Sequence, residues 1–370
     1  MQKYNFMLKQ QKIFFDFLRF CIRSVKEIPD SLKEADWQEL YCIARKQALL
    51  GVLFYGIRRL PKELAPEQKL LMQWMAMAEM IRKQNIKLFL DSVKVCQNFE
   101  NEGFANCILK GQGNALLYPD PYMRTPGDID IYLSGGRRKI MKYVDQVCPN
   151  QVMRYHHVDF PVMKTVIEVH FTPSYMFCPI HNRRMQKWFE EVMGEQCKHR
   201  ASLPDGYGEI HVPQVSFNVI YILSHLYRHI FTEGIGLRQL LDYYYVISML
   251  SVNCEMLTSL QKELKYLGLW KFAQAVMFVM KEVFGLSEDR MIAPMDEKEG
   301  RFLLDEIMRG GNFGQYDDRM GSKVGESKIH RYFRMNLRNL RFVKHYPAEA
   351  LSEPLFRTWF AIWKEMINHC

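Results

Sequence analysis

Residues 127–133 read Gly-Asp-Ile-Asp-Ile-Tyr-Leu, and this run limits what the chain around it can fold into. Side chains alternate along an extended strand, so Asp128 and Asp130 fall on one face and the isoleucines and leucine on the other. The apolar face can pack against a core, whereas the acidic face is left bare. We therefore expect a strand whose acidic side borders an open site.

The spacing of the two aspartates favours a metal site. Carboxylates one pleat apart repel each other unless a cation lies between them, and hard oxygen ligands suit Mg²⁺ together with phosphates. The alternative for such a short pattern is a polar strand end that faces solvent.

A third carboxylate stands in a second predicted strand, residues 165–171, where Glu168 and His170 share one face. A carboxylate on an adjacent strand could ligate one metal ion and accept the proton of an attacking hydroxyl. The alternative is an ordinary glutamate on the surface of a strand.

Upstream of the aspartates, a short apolar strand runs into the turn Lys110-Gly111-Gln112-Gly113. Backbone N–H groups approach a phosphate closely only where side chains are absent, and a helix over residues 114–118 would add partial positive charge. Lys110 supplies a formal cation, and Arg124 supplies a fork suited to phosphate oxygens.

Two histidines, His225 and His229, lie one turn apart in a strongly predicted helix from Pro213 to Ile230. This spacing can bind zinc, but it needs a third ligand, and no His-Glu-x-x-His pattern is present. A buried pair of core histidines is the alternative.

Several spaced motifs together resemble a known family. They are Leu-Lys-Gly at 109–111, Tyr-Pro-Asp-Pro-x-x-Arg at 118–124, Gly-Asp-Ile-Asp at 127–130, Glu-x-His at 168–170, and His-x-x-x-His at 225–229 followed by Leu-Arg-x-Leu-x-Asp at 237–242. The chain resembles the uncharacterised bacterial nucleotidyltransferase family, within the DNA polymerase-β-type nucleotidyltransferase superfamily.

The resemblance implies a transferase that moves a nucleoside monophosphate from a nucleoside triphosphate such as ATP to an acceptor hydroxyl and releases pyrophosphate. It implies that Asp128, Asp130 and Glu168 are catalytic and hold two Mg²⁺ ions, or Mn²⁺ in their place. The nucleotide-binding residues it implies are Lys110, Gly111, Gly113, Arg124, His225, His229, Arg238 and Asp242. The acceptor stays open among a small molecule, a sugar, a protein and an RNA.

Two other functions stay open. The superfamily usually has serine or a second glycine where this chain has Gln112, which would suit a catalytically silent nucleotide-binding or scaffold protein. A basic helix also carries arginines on one side at 331, 334, 338 and 341. Such a stripe is usually a solvated face, but it could bind RNA.

The element pattern predicts an α+β fold in which a small mixed sheet is flanked by helical regions. We place an N-terminal helical region at residues 1–103, the nucleotidyltransferase-like α/β core at 104–200, and a C-terminal helical domain at 201–370. Residues 152–157 are a further predicted strand and 201–208 a polar loop. The glycine-rich stretch 310–325 is either a lid or a plain connector.

Composition narrows the partners and the compartment. The formal net charge of +9 favours anionic partners such as nucleotides or RNA. Nine scattered cysteines without a Cys-x-x-Cys pair indicate reduced thiols, and no apolar run is long enough to cross a bilayer. We expect a cytoplasmic protein that binds no membrane, and no obligate protein partner is implied.

Overall fold

The structure is a computed structural model that describes residues 2–23, 27–251, 253–320 and 327–368. Its described part has an α+β fold, rich in helices with one small mixed sheet, which confirms the predicted fold class. The fourteen described α-helices are α1 (Gln2–Ile22), α2 (Trp37–Lys46), α3 (Leu50–Ile57), α4 (Gln68–Asn101), α5 (Gln112–Ala115), α6 (Gly136–Val147), α7 (Pro179–Gln196), α8 (Val215–Thr232), α9 (Leu237–Met249), α10 (Cys254–Tyr266), α11 (Trp270–Val279), α12 (Glu297–Gly310), α13 (Lys328–Val343) and α14 (Pro347–Asn368).

Two sheets are formed by the strands of the described residues. These strands are β1 (Asn106–Ile108), β2 (Ile129–Leu133), β3 (His157–Asp159), β4 (Ile167–His170), β5 (Arg200–Ser202) and β6 (Glu209–His211). The larger sheet has the order β1-β2-β4-β3, with β2 and β4 parallel and both outer strands antiparallel to their neighbours. Strands β5 and β6 form a separate hairpin.

The apolar face of the larger sheet covers the smaller of two hydrophobic cores. Ile131 and Val169 pack there with Phe99 of α4 and Val144 of α6. Because alternate residues face opposite ways, burial of this face turns the polar side chains of β2 and β4 towards the other side. The packing therefore fixes where the acidic face must lie.

The larger core joins the first helices of the chain to the helices that follow the sheet. Phe14 and Phe17 of α1 share it with Tyr221 of α8 and Phe272 of α11. Trp74 of α4 reaches the same core, and its indole N–H donates to the carbonyl of Leu50 at 2.8 Å. Helices from both ends of the chain thus support one side of the sheet.

The predicted strand over residues 152–157 is largely wrong. The strand here is β3, which pairs with β4 through His157 opposite His170 and Asp159 opposite Glu168. Met153 forms only an isolated bridge with Val158. The residues before His157 extend past the end of β4, where the pairing ends with the Phe171 N–H donating to the carbonyl of His156 at 2.9 Å.

The predicted polar loop at 201–208 is confirmed for residues 203–208, which connect β5 and β6, but its first two residues belong to β5. Ala201 is paired with Ile210, and Ile210 is buried in the smaller core. The helix predicted over 114–118 is instead the single turn α5. Helices α2 and α3 are separate because the chain turns at Ala48, whose φ is +56°.

Helices α13 and α14 pack against each other as a hairpin. The interpretation of the α13 arginines as a solvated stripe is wrong for two of them. Arg338 is buried and donates to the carbonyl of Ile230 at 2.8 Å, and Arg341 pairs with Glu306 and with Asp317. The part of the glycine-rich stretch that contains Gly321 and Gly325 lies outside the described residues.

No helix in the described ranges combines the length and the hydropathy that crossing a bilayer requires. The eight cysteines that the structure describes are all free thiols.

Candidate active site

The parallel pairing of β2 with β4 brings two of the predicted acids side by side. Asp130 is in register with Glu168, so both side chains leave the sheet on the same face. Asp128 stands just before β2, two residues ahead of Asp130. All three carboxylates line one cleft between the sheet and helices α8 and α9.

The two aspartates ionise differently because their surroundings differ. The charge of Asp130, together with burial, raises the pKa of Asp128. Burial would also raise the pKa of Asp130, but the Lys110 ammonium and a hydrogen bond from His170 hold it well below its usual range. An added cation would therefore stabilise the ionised form of Asp128 more than that of Asp130.

The two oxygens of Asp130 are used unequally. Its Oδ1 lies 3.0 Å from Lys110 Nζ and accepts from His170 Nε2 at 3.1 Å. Its Oδ2 is buried and has no hydrogen-bond partner among the described residues. A buried acceptor of this kind needs a partner, and a carboxylate oxygen beside a second carboxylate is a ligand suited to Mg²⁺ or Mn²⁺. The ligand atoms of Asp130, Glu168 and His170 lie within 4.8 Å of one another and so fit a divalent cation, and Asp128 lines the same cleft.

Glu168 is held from one side by two imidazoles. Its Oε2 lies 3.5 Å from His157 Nδ1 and 3.5 Å from His170 Nε2. Burial opposes ionisation of Glu168, but the hydrogen bond from His170 lowers its pKa overall. The carboxylate is thus ionised and fixed in direction at the edge of the cleft.

The glycine turn places one glycine in the cleft and the other behind it. Gly111 lines the cleft with φ of +65°, a left-handed conformation that favours glycine. A Cβ on Gly113 would lie 3.0 Å from Val212 Cγ1, so this glycine packs against the chain just after β6. Because α5 is one turn long, its dipole adds little to the phosphate attraction that a helix here was predicted to give.

Arg124 and Asp242 form a closed, buried ion pair. Arg124 Nε donates to Asp242 Oδ1 at 2.8 Å and Nη2 donates to Oδ2 at 2.7 Å, while the Tyr118 hydroxyl donates to Oδ1 at 2.7 Å. Burial opposes ionisation of both groups, yet each stabilises the other's charge, which raises the pKa of Arg124 and lowers that of Asp242. The pair ties the loop before β2 to α9.

Helix α8 lines the opposite wall with two neighbouring, neutral histidines whose ring planes are tilted by 58°. The ring centroids of His225 and His229 are 4.3 Å apart. Burial lowers the pKa of His225 well below its ordinary value and that of His229 to about 4. His225 Nε2 lies 3.3 Å from Lys110 Nζ, and His229 Nε2 lies 3.1 Å from Arg228 Nη2. The positive charge on this wall therefore belongs to Arg228 and Lys110.

Phe313 stands at the mouth of the cleft in a strained conformation. Its φ of +52° and ψ of +32° are left-handed, which is unusual for a bulky residue. Glycine contacts hold this turn: a Cβ on Gly314 would lie 2.0 Å from the Glu233 carbonyl oxygen, and one on Gly236 would lie 2.8 Å from Asn312 Cα. Only glycine allows the two backbones to approach so closely.

Arg238 lies between this turn and the cleft. Its Nη1 donates to the carbonyl of Thr125 at 3.3 Å, and its guanidinium carbon is 5.7 Å from the centroid of the Phe313 ring. The His229 ring is 5.9 Å from the same centroid. The half-buried Phe313 ring thus forms part of the cleft wall beside two polar side chains.

The cleft has a volume of about 340 Å³, which is within the range of small-molecule sites. Every site residue predicted from sequence except Gly113 lines it. Those lining residues are Lys110, Gly111, Arg124, Asp128, Asp130, Glu168, His225, His229, Arg238 and Asp242.

Sequence reasoning missed several residues that the structure brings to the cleft, among them Arg228, His157 and Phe313. Arg228 adjoins His229 in sequence and lies on the same helical face as His225, so its spacing could have revealed it. His157 is the first residue of β3, and the strand pattern around it gives no functional signal. Phe313 carries no sequence signal, because its position depends on contacts with a distant glycine turn.

The chain is similar to one described protein family and to a solved structure. A family described as "Uncharacterised nucleotidyltransferase" matches residues 33–285. Among solved structures, an antigenic nucleotidyltransferase-like protein from Paracoccidioides brasiliensis is similar, at 13% identity and a TM-score of 0.36, over 58% of this chain and 96% of that one. No curated protein matches the chain. Since the family match covers more than half of the 370 residues, the chain belongs to this uncharacterised nucleotidyltransferase family.

Proposed function

We propose that the protein is a metal-dependent nucleotidyltransferase that transfers a nucleoside monophosphate from a nucleoside triphosphate to an acceptor hydroxyl. The observation that carries this proposal is the convergence of Asp128, Asp130 and Glu168 on one cleft, with a buried Asp130 oxygen that lacks a partner among the described residues. Metal-ligating carboxylates beside cationic side chains are what transfer between phosphate groups requires.

Asp128 and Asp130 would hold the divalent cations, Mg²⁺ or Mn²⁺, and Glu168 would complete their oxygen ligands. When bound, these cations would withdraw charge from the phosphate oxygens and orient them. The raised pKa of Asp128 supports this assignment, because a cation at that position would offset the repulsion from Asp130.

The triphosphate would lie between the glycine turn and α8. Lys110, Arg228 and Arg238 all line this part of the cleft and would balance the negative charge of the phosphates. The backbone of Gly111 would come close to a phosphate without obstruction from a side chain. His225 and His229 are neutral, so they would orient Lys110 and Arg228 rather than add charge.

In the transfer step, the acceptor oxygen forms a bond to the α-phosphorus as the bond from that phosphorus to the β-phosphate bridging oxygen breaks. The electron pair of the broken bond leaves with pyrophosphate. Glu168 would accept the proton of the acceptor hydroxyl, because it is ionised and at the edge of the cleft. His157 and His170 would fix the direction of this carboxylate from behind.

The base of the nucleotide would stack on Phe313. Every nucleobase has a π-face, so an aromatic ring at the cleft mouth would bind any of them with little preference for the identity of the base. The glycine contacts that hold Phe313 in its left-handed conformation would keep the ring in place before the nucleotide arrives.

Arg124 and Asp242 have a different role in this proposal from direct phosphate binding. The guanidinium fork of Arg124 is already occupied by Asp242. The pair would position the loop that leads into Asp128, and Asn85 helps by donating to the carbonyls of Tyr122 and Arg124, at 2.8 Å each.

The test is label transfer from α-phosphate-labelled ATP, GTP, CTP and UTP into small-molecule, protein and RNA fractions of a cell extract, with Mg²⁺ or Mn²⁺, together with a pyrophosphate assay. We expect transfer by the wild-type protein and none by the Asp128→Asn/Asp130→Asn variant. Asp145→Asn, an exposed aspartate of α6 outside the cleft, is the matched control and should behave as wild type. Transfer by the double variant would refute the mechanism. Nucleotide binding by the wild type without any transfer would favour the silent scaffold.

A further inference from the structure

The α13–α14 hairpin presents an apolar surface that the fold itself does not cover. Its members are 49–73% exposed although all are large apolar side chains. They are Phe333, Leu337 and Leu340 of α13 and Leu351, Leu355, Trp359 and Ile362 of α14, and we call them the hairpin face. Contiguous apolar surface of this extent on a folded protein usually marks an interaction site.

Contacts within the hairpin show that these side chains share one side. The two helices meet through Tyr332 and Thr358, whose hydroxyls are 3.2 Å apart, and through Asn339, which donates to Glu353 at 3.2 Å. Other residues turn towards the body of the protein, among them the buried Phe342. The members of the hairpin face recur at intervals of three, four and seven residues, so each helix presents them as one exposed stripe, and the Trp359 ring at its edge also lies 6.2 Å from the Tyr155 ring.

The hairpin face is uncharged. Every exposed residue from Leu351 to Ile362 is apolar or, at Thr358, a neutral hydroxyl. From Phe333 to Leu340, the exposed residues are those of the hairpin face alone. The surface therefore offers no charge with which to select an acidic or a basic partner.

The position of the arginines argues against a membrane as the occupant. A helix that lies on a lipid surface places its apolar side in the acyl region and its cations beside the headgroups. Here Arg338 is buried against α8, and Arg341 is paired with Glu306 and Asp317 on the side facing the body. These two cations are engaged within the fold and are not available to lipid headgroups, and the exposed Arg331 precedes the hairpin face, which begins at Phe333.

We propose that the hairpin face is the interface of a homodimer, in which the hairpins of two copies pack face to face across a two-fold axis. Each of its seven side chains offers on the order of 100 Å² of apolar surface, hence on the order of 700 Å² per copy. A stable interface of standard size buries about 800 Å² per partner. In a two-fold interface the same surface of both copies is in contact. Because the hairpin face is uncharged, two copies can pack there without repulsion between like charges. Ridges of leucines at helical spacing also pack well into the grooves of a second helix pair.

The test is the mass of the 370-residue protein in solution, measured by size-exclusion chromatography with light scattering. Protein concentrations from about 1 to about 100 µM span roughly the dissociation constants expected for such an interface. We expect the wild type at twice the 44.0 kDa chain mass. The variant Leu337→Gln/Leu355→Gln should be a monomer, since it removes four apolar side chains from the interface and weakens association on the order of 1,000-fold. Both leucines are 73% exposed, so the fold should be unaffected, which circular dichroism checks.

Met80→Gln is the matched control, because Met80 is 58% exposed on α4, away from the hairpin, and this variant should remain a dimer. Leu340→Arg is a second variant that should also give a monomer. A wild type that is monomeric throughout the range overturns the proposal, as does a dimer that survives both substitutions. A monomer that sediments with phosphatidylcholine–phosphatidylglycerol vesicles also overturns it and assigns the face to a membrane. None of these measurements depends on nucleotidyl transfer.

Discussion

Replacing Asp242 with asparagine should destabilise the protein strongly, because it would leave Arg124 charged and buried beside a neutral amide. Both side chains are less than a tenth exposed, and two hydrogen bonds join them in a bidentate geometry. Breaking a buried ion pair by removing one partner costs about 3–5 kcal/mol, since the remaining charge keeps its desolvation penalty. For a chain of 370 residues, an unfolding entropy of about 2.1 cal/mol/K per residue converts this cost into a drop in Tm of about 4–6 °C.

The same reasoning predicts that removing the whole cluster should be far less harmful. The triple variant Tyr118→Phe/Arg124→Met/Asp242→Leu replaces the three polar groups with apolar ones of similar size. It removes both charges of the ion pair together, and such replacements are often neutral or stabilising. Its Tm should lie within about 2 °C of the wild type. Including Tyr118 matters, because its hydroxyl donates to Asp242 and would otherwise lose its acceptor.

Differential scanning calorimetry gives both Tm values, and titration calorimetry with Mg²⁺ and a non-hydrolysable ATP analogue gives the nucleotide affinity. A drop in Tm of less than about 1 °C for Asp242→Asn would refute the argument that the pair is buried and mutually dependent. If the triple variant kept its Tm and its Mg²⁺ affinity but bound the nucleotide more than about tenfold more weakly, about 1.4 kcal/mol, then Arg124 contacts the phosphates directly. The positioning role assigned to the pair would then be wrong.

Three further predictions concern the cleft. Saturating Mg²⁺, at about 100 times its Kd, should stabilise the wild type by about 2.7 kcal/mol and raise Tm by about 3 °C, but should leave the Tm of Asp128→Asn/Asp130→Asn unchanged. Phe313→Leu should weaken ATP binding by about 5- to 100-fold without changing the affinity for inorganic triphosphate, because only the base stacks on the ring. Arg228→Gln should weaken binding of both ligands by about 10- to 100-fold, and an equal affinity in calorimetry would contradict its phosphate role.

The acidic half of the site could be predicted from sequence because it depends on local periodicity. Alternation along β2 and β4 put Asp130 and Glu168 on the polar faces of their strands, and the apolar residues between them required burial on the other side. The α8 histidines likewise followed from helical spacing. The fold class could be predicted for the same reason, since long amphipathic helices and short β-branched strands are both encoded locally.

The orientation of α13 shows where local pattern fails. Its arginines and its apolar residues form two stripes, and the usual rule turns the arginines to solvent and the apolar stripe inwards. The structure has the opposite arrangement for Arg338 and Arg341, because the carboxylates of Glu306 and Asp317 stand on the body of the protein. The sequence pattern of a helix defines its two faces, but it does not show which face packs against the rest of the protein.

Phe313 could not have been found for a related reason, and its case shows how this site depends on distant parts of the chain. Its strained backbone conformation costs on the order of 1–3 kcal/mol, so the turn by itself would relax to another conformation. The conformation persists because the turn containing Gly314 packs against the backbone around Gly234 and Gly236, a contact that glycine makes possible on both sides. The loop after α8 and the loop after α12 are therefore coupled, although about 80 residues separate them in sequence. Since His229 and Arg238 flank the first of these loops, the packing that holds Phe313 also sets the distance between the aromatic ring and the cationic wall of the cleft.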